Sequence, residues 1–413
     1  MERDTNARAT RFLVTTSSAR ASVPGASPFR LGVSFDRLGS VIALLAGISV
    51  FVLPFVTYRA NRIVSGEPRL LLHALPTTVA VAVMGAVVAV ALVAVFIRWP
   101  TVRLTAAALG LVVVVPAVGL SAGFMTPTGN NFARISPASG FWLLTLALGL
   151  LVADSLTRLR FGPWARLGAL VIAAVAVAIL LVSGAWHNLS LLKEYATRAD
   201  SFWREADQHI FLSLGSVAAA AAVGLPLGVL CHRVRAVRGP TLQVLNIVQT
   251  IPSIALFGML MVPLGFLAAN VPAAAAIGIR GIGAAPAFVA LFLYALLPIV
   301  ANTVVGLDQV PANVVDAARG MGMSRRQRLT QVKIPLALPI ILTGIRIVLV
   351  QNLGLATVAA LIGGGGFGTF VFQGVGQTAM DLVLLGAIPT VALSFAAAVI
   401  LDAVIDLAGR VRK

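Results

Sequence analysis

Residues 307–339 read LDQVPANVVDAARGMGMSRRQRLTQVKIPLALP, a polar stretch between two apolar runs at about 286–306 and 340–361. It is too polar to cross a bilayer and too patterned to be a tail. Helix-forming residues from Val314 to Arg319 lead into Gly320-Met321-Gly322, a natural turn because glycine accepts positive φ. Ser324 is placed to cap a following helix whose polar face carries Arg325, Arg326, Arg328 and Gln331. Pro335 and Pro339 stiffen the re-entry into the next apolar run. The reading is a helix–turn–helix bracket on one face of a membrane. Nothing in lipid would hold its turn, so such a bracket needs a protein partner.

Outward from this stretch, the 413-residue chain is dominated by apolar runs. It is 59% hydrophobic and 11% charged, and its mean hydropathy is +0.98. A soluble domain has about a quarter of its residues charged, so too little charge is present here to clothe a water-exposed surface. Apolar segments fall at about 40–57, 75–97, 104–124, 140–156, 167–184, 211–231, 243–267, 286–306, 340–361 and 382–404. These ten runs approach or exceed the ~18 residues that mark a spanning helix. Period-two alternation is absent, which disfavours a β-barrel. The expected fold class is therefore an all-α polytopic membrane protein.

The net charge of +17 is explained by topology and not by nucleic acid. With the N-terminus inside, roughly three quarters of the 31 Lys and Arg residues fall on the inner side, which places both termini in the cytoplasm. Residues 1–38 are expected to form a disordered cytoplasmic tail. Residues 39–184 hold five spans joined by short, featureless loops. Residues 185–208 balance Lys193, Arg198 and Arg204 against Glu194, Asp200, Glu205 and Asp207, and are expected to lie along the outer surface as an amphipathic helix. Residues 209–408 hold the remaining five spans and most of the interpretable chemistry.

The polar stretch closely resembles the cytoplasmic motif of permease subunits of ATP-driven (ABC) importers. That motif runs Glu-Ala-Ala, three residues, Gly, nine residues, then Ile-x-Leu-Pro. Here Asp316-Ala317-Ala318 is followed by three residues, Gly322, nine residues, and Val332-Lys333-Ile334-Pro335. Asp316 stands for the usual Glu, Val332 for Ile and Ile334 for Leu. Within that class the chain resembles the glycine betaine, choline and proline (osmoprotectant) group. Asn246–Leu260, NIVQTIPSIALFGML, resembles its Asn-x-x-Gln-Thr-Ile-Pro-Ser segment, and Pro286–Gly306 contains its Leu-Tyr-Ala-Leu-Leu-Pro-Ile segment. The resemblance covers about 208–408, and the five preceding spans match a subgroup with extra N-terminal spans.

The resemblance implies a type I ABC importer transmembrane fold with an N-terminal extension, in the bacterial inner membrane. It implies that Asp316, Ala317, Ala318, Gly320, Gly322, Val332, Ile334 and Pro335 form a coupling loop seated on a nucleotide-binding ATPase subunit. It also implies a second permease copy, an external substrate-binding protein docking near 267–285, and a small zwitterionic or quaternary ammonium cargo such as glycine betaine, choline or proline. The chain has no Gly-x-x-x-x-Gly-Lys-Ser/Thr motif, so ATP and Mg are expected on the partner subunit and no cofactor on this one.

Polar groups at membrane depth are best satisfied facing protein or a cavity. Asn246, Gln249, Thr250 and Ser253 flank the helix-kinking Pro252, while Asn302, Gln351 and Asn352 form smaller clusters. These are the candidate translocation path, with interhelical hydrogen bonding an equal reading for the second set. No catalytic constellation is evident. His73, His187, His209 and His232 are scattered, and the lone Cys231 excludes an intrachain disulfide and a cysteine-built metal site. Charge buried in the spans is not expected. Asp402 and Asp406, near the inner end of the last span, are expected to pair at the interface. Two alternatives stay open on the residues: an importer for amino acids or another small polar solute, and an ion-coupled secondary transporter.

Overall fold

The computed structural model describes residues 36–61, 64–127, 130 and 132–410. Most of the expected cytoplasmic tail thus lies outside the described residues, and its expected end at 38 moves back, because Arg37 and Leu38 already belong to the first helix.

The N-terminal part runs α1 (Arg37–Phe51), β1 (Val56–Arg59), β2 (Glu67–Arg69), α2 (Leu71–Ala74), α3 (Thr77–Phe96), α4 (Pro100–Met125), β3 (Arg134–Pro137), α5 (Ser139–Leu159) and α6 (Pro163–Val182). α1, α3, α4 and α5 pack in a closed ring, each against two of the others. Their shared core is built from Val, Ala and Leu, with Ile42, Val83, Val87, Val114, Leu144 and Leu148 buried in it. Twenty residues, as in α3, span about 30 Å, the thickness of the hydrocarbon layer. α1, at 15 residues, is shorter, and the chain beyond it turns into the outer sheet.

That sheet corrects the expectation of featureless loops. Its order is β2-β1-β3, both pairings antiparallel, with Val56 opposite both Arg69 and Pro137. It lids the outer end of the bundle: Phe55 and Val56 are fully buried, and the Phe55 ring meets Phe141 edge-on at 5.8 Å.

The later part comprises α7 (Ser190–Thr197), α8 (Ala199–Ile210), α9 (Ser216–Arg233), α10 (Arg235–Thr250), α11 (Ser253–Asn270), α12 (Pro272–Ala276), α13 (Ala284–Asp308), α14 (Ala312–Gly320), α15 (Arg325–Gln327), α16 (Ile334–Leu355), α17 (Gly368–Gly376) and α18 (Met380–Arg410). α13 is the central post, flanked by α9 and α16. Small residues allow the approach: Gly224 and Gly228 of α9 face Ile299 and Thr303, and Gly344 of α16 faces Asn302. Among the described residues nine helices, counting continuous stretches as one, are long and apolar enough to cross a membrane. With the shorter apolar α1 added, the described residues hold about ten crossings, consistent with the ten expected from sequence.

Three of those spans differ in form from simple rods. α8 runs unbroken into α9 through a π turn at Phe211–Gly215, so the expected surface helix over 185–208 is instead α7 followed by the outer extension of a span. The run at 243–267 is two helices, because a residue before proline is disfavoured in α geometry and Ile251, ahead of Pro252, is extended. α15 continues into α16 through a π turn at Arg328–Lys333. Pro335 has no N–H and its ring crowds the carbonyl of Gln331, which this wider turn relieves.

The two parts meet along α18. α6 leaves the four-helix ring and packs against α18, with Arg166 bound to Asp406 at 3.0 Å at the inner end. At the outer end α7 also packs on α18, and Arg59, Arg134, Glu194, Gln377 and Asp381 enclose a cavity of about 30 Å³, enough for a water.

Candidate functional site

The bracket is present where its residues were read. α14 ends at Gly320; Gly322 has φ +79°, and the Met323 amide reaches back to the Ala318 carbonyl at 3.1 Å. That is the glycine-terminated helix end that closes the last free carbonyls. Ser324 then caps the second arm reciprocally: its hydroxyl accepts from the Gln327 amide at 3.3 Å, and its own amide donates to Gln327 Oε1 at 2.8 Å. Ile334 and Leu329 pack against Leu307 and Ala337, tying the second arm to the inner ends of α13 and α16. Ala318 is buried, while Asp316, Ala317 and Gly320 are exposed. Met321, at the tip of the turn, is 76% exposed. Val332 and Pro335 are half-buried.

The structure separates the path candidates into two kinds. At the α10–α11 break, Pro298 of α13 has no N–H for the carbonyl of Tyr294, and Gln249 Nε2 donates to that carbonyl at 2.7 Å. The Tyr294 hydroxyl in turn donates to the carbonyl of Ile251, the residue at the break. Backbone groups freed at membrane depth are thus re-satisfied by side chains. Asn246, Thr250 and Pro252 are exposed along the same break, with Ser253 half-buried beside them. Thr250 bonds only within its own turn, to Ile247 O at 2.7 Å.

Asn352 is different. It is fully buried, donates to Ser216 Oγ at 2.9 Å and to Leu291 O at 3.2 Å, and so cross-links α9, α13 and α16. Asn302 donates within α13 to Pro298 O at 2.8 Å, and Gln351 is half-buried. For this second set the interhelical reading fits Asn352, and Asn302 serves its own helix.

Some charged groups gave no sequence signal. Arg103 has no exposed surface, against the expectation that the spans bury no charge. Its Nε donates to Ile97 O at 2.7 Å, Nη1 to Asp154 at 3.3 Å and Nη2 to Ala94 O, and Nη2 also forms an ion pair with Asp36. A cation at the carbonyl end of α3 is well placed, and every nitrogen of the guanidinium has a partner. Asp402 pairs with Arg346 of α16, so Asp402 and Asp406 do pair at helix contacts. On the outer side, Gly365 and Gly366 adopt positive φ beside Glu205, whose carboxylate accepts from the Gly366 amide at 2.7 Å and from Thr369 Oγ1 at 3.3 Å. That loop is a docking turn between α8 and α17, with no phosphate-cradling character. Among the described residues no cluster of His, Cys, Asp or Glu has the make-up of a metal site.

Comparison with known proteins meets this geometry from both ends of the chain. Residues 36–192 match the family described as "ABC transporter permease YehY, N-terminal domain". Residues 224–410 match "Binding-protein-dependent transport system inner membrane component". The chain is 43% identical over 181 residues to the osmoprotectant import permease protein OsmW of Salmonella typhimurium, covering 44% of this chain and 79% of that one. It is 37% identical over 240 residues to the osmoprotectant import permease protein OsmY of the same organism, covering 57% and 92%. With the glycine betaine/carnitine/choline transport system permease protein OpuCB of Bacillus subtilis it shares 36% identity over 203 residues, 49% and 84% of the two chains. Among solved structures, an inward-facing MetNI methionine ABC transporter aligns with TM-score 0.44 and 22% identity over 50% of this chain and 96% of that one. The chain belongs to the binding-protein-dependent ABC import permeases. It is a multi-pass inner-membrane transport subunit.

Proposed function

We propose that this chain forms the translocation path of an ATP-driven importer for a small zwitterionic or quaternary ammonium osmoprotectant. The observation that carries the reading is its identity to osmoprotectant, carnitine and choline permeases across about four fifths of their length. Cargo choice rests with an external binding protein that docks on the outer loops around α12.

Asp316, Ala317, Ala318, Gly320, Gly322, Val332, Ile334 and Pro335 form the seat of a separate ATPase subunit, which holds the ATP and Mg. The seat has the needed properties: a capped second arm, a glycine turn and the exposed Met321 at its tip. Asn246, Gln249, Thr250, Pro252 and Ser253 line the path, with Asn302, Gln351 and Asn352 supporting the helices behind it. The exposure of Asn246 and Thr250 supports a second permease copy, since polar side chains left facing lipid are unfavourable. The unit that transports is residues 209–408, and the spans before it form an attached body held to α18.

The test is co-purification from native membrane, then a binding assay on any external protein recovered with glycine betaine, choline, proline and neutral amino acids. An ATPase subunit that is retained, and then lost on Gly322→Pro, together with a binding protein that takes a betaine or choline, supports the reading. A binding protein that takes only amino acids replaces the cargo. Solute transport by the chain alone in ATP-free liposomes replaces the mechanism.

A further inference from the structure

Four polar side chains from four different elements converge at the inner ends of the permease helices. Lys333, the last residue of the π turn in the bracket, places Nζ 3.1 Å from His232 Nε2 at the end of α9. His232 Nδ1 lies 2.6 Å from Asp308 Oδ1 at the end of α13. Arg238 of α10 donates through Nη1 to the other oxygen, Asp308 Oδ2, at 2.7 Å.

The chemistry of these groups fixes the direction of each bond. A lysine ammonium only donates, so His232 Nε2 accepts and the ring proton sits on Nδ1, where it donates to Asp308. The carboxylate then receives one bond on each oxygen, and the ring is a neutral connector between a cation and an anion. None of the four is an anchor of the importer motif. Lys333 occupies its unspecified position.

What the network joins gives it a role. Lys333 belongs to the bracket. Asp308 ends the central helix, three residues before the bracket's first arm starts at Pro311-Ala312. Arg238 lies in the first turn of α10, and from it the helix runs about 18 Å to Thr250 and the break at Ile251–Pro252. There Gln249 and Tyr294 hold the freed carbonyls. A displacement of the bracket thus has a direct polar connection to the helix that ends at the path. Asp308 and Arg238 are each more than a third exposed, and exposed ion pairs contribute little to folding. Such a fastening can be altered without unfolding the protein.

We propose that Lys333, His232, Asp308 and Arg238 are positioning residues that fasten the coupling bracket to α9 and α10, so that movement imposed by the ATPase subunit reaches the α10–α11 break. This rests on the reading of the bracket as that subunit's seat. The test uses the full importer, permease with its ATPase subunit and external binding protein, in proteoliposomes. The readout is solute imported per ATP hydrolysed, beside retention of the ATPase subunit.

Lys333→Met is expected to keep the subunit bound and to lower solute per ATP by roughly 3- to 30-fold. Lys333→Arg, which keeps a donor, is expected to stay near the unsubstituted ratio. Lys333→Glu is expected to be as poor as Lys333→Met. Adding His232→Arg to it is expected to recover the ratio, because one guanidinium can bond both Asp308 and the new carboxylate. An unchanged ratio in Lys333→Met, or a double variant no better than Lys333→Glu, overturns the proposal. An unsubstituted chain that retains no ATPase subunit overturns the bracket reading, and this one with it.

Discussion

In the four-helix ring of the N-terminal part, the buried charge of Arg103 is locked by two carbonyls and two carboxylates, and the outer end is lidded by a sheet. Around α10 and α11 the arrangement is the reverse. The helix is interrupted at Ile251–Pro252, and the Ile251 carbonyl there and the Tyr294 carbonyl of α13 beside it are each held by a single side-chain hydrogen bond, from the Tyr294 hydroxyl and Gln249 Nε2. About a tenth of α11 is buried, against four tenths of α4 and α5. One region satisfies its polar groups with many partners inside a closed core. The other satisfies them one at a time beside an open face. The first arrangement resists movement, and the second permits it, since interfaces with few buried contacts are where proteins open at low free energy.

By that contrast, the largest effect on stability comes from Arg103→Leu. It leaves Asp36 and Asp154 with only the more exposed Arg158 between them and is expected to destabilise the chain by about 3 kcal/mol. The measure is a lower temperature of half-aggregation in detergent, with ATP-driven transport intact in the protein that survives. The converse is Tyr294→Phe, which removes one hydrogen bond. Stability should change by about 1 kcal/mol, while transport in proteoliposomes falls more than the folded fraction does. Equal losses of stability and transport in both variants would erase the distinction.

Smaller effects test the seam between the regions. Arg166 and Asp406 are each about 40% exposed, so Arg166→Glu should cost under ~1 kcal/mol. Adding Asp406→Arg should restore the original melting temperature. The smallest effect is that of pH on Asp36. Burial raises its carboxyl, but the hydrogen bond and charge of Arg103, with Arg158 behind it, outweigh this and hold it below the ordinary value of 3.8. A depressed carboxyl contributes stability above its ordinary value and loses it as pH falls through the folded one. Unfolding should therefore ease as pH drops below about 4, and Asp36→Asn should be weaker at neutral pH with a shallower slope across that window, Asp308 being held low as well.

The parts that could be read from sequence share a local origin. The spans are continuous apolar runs, and the bracket is written within about thirty residues, its cap and turn settled by Ser324, Gln327 and Gly322. What escaped is non-local. β1 and β3 are four residues each, too short for alternation to register, and they pair across the whole of α3 and α4. Arg103 looks like any basic residue at the start of a span until Asp154, 51 positions on, is placed beside it. Lys333 and His232 are 101 positions apart. The polarity of Asn352 is visible in the sequence, whereas its partner Ser216, 136 positions away, is not, so path lining and interhelical bonding read alike there.

The packing of α6 on α18 also sets an order of events during synthesis. Ring helices α1, α3, α4 and α5 contact neighbours in the chain, so that body can close soon after residue 159 has left the ribosome, and domains commonly fold as units in this way. α6 is translated next, but its partner, α18, comes only after all the permease helices between them. Through the insertion of every later span, α6 must persist in the bilayer without that partner. Its sequence suits the wait: between Leu167 and Val182 it carries no charged residue and is built almost wholly of Ala, Val, Ile and Leu. Only when α18 arrives does Asp406 meet Arg166, so a helix made long after α6 is the one that joins the first half of the chain to the second.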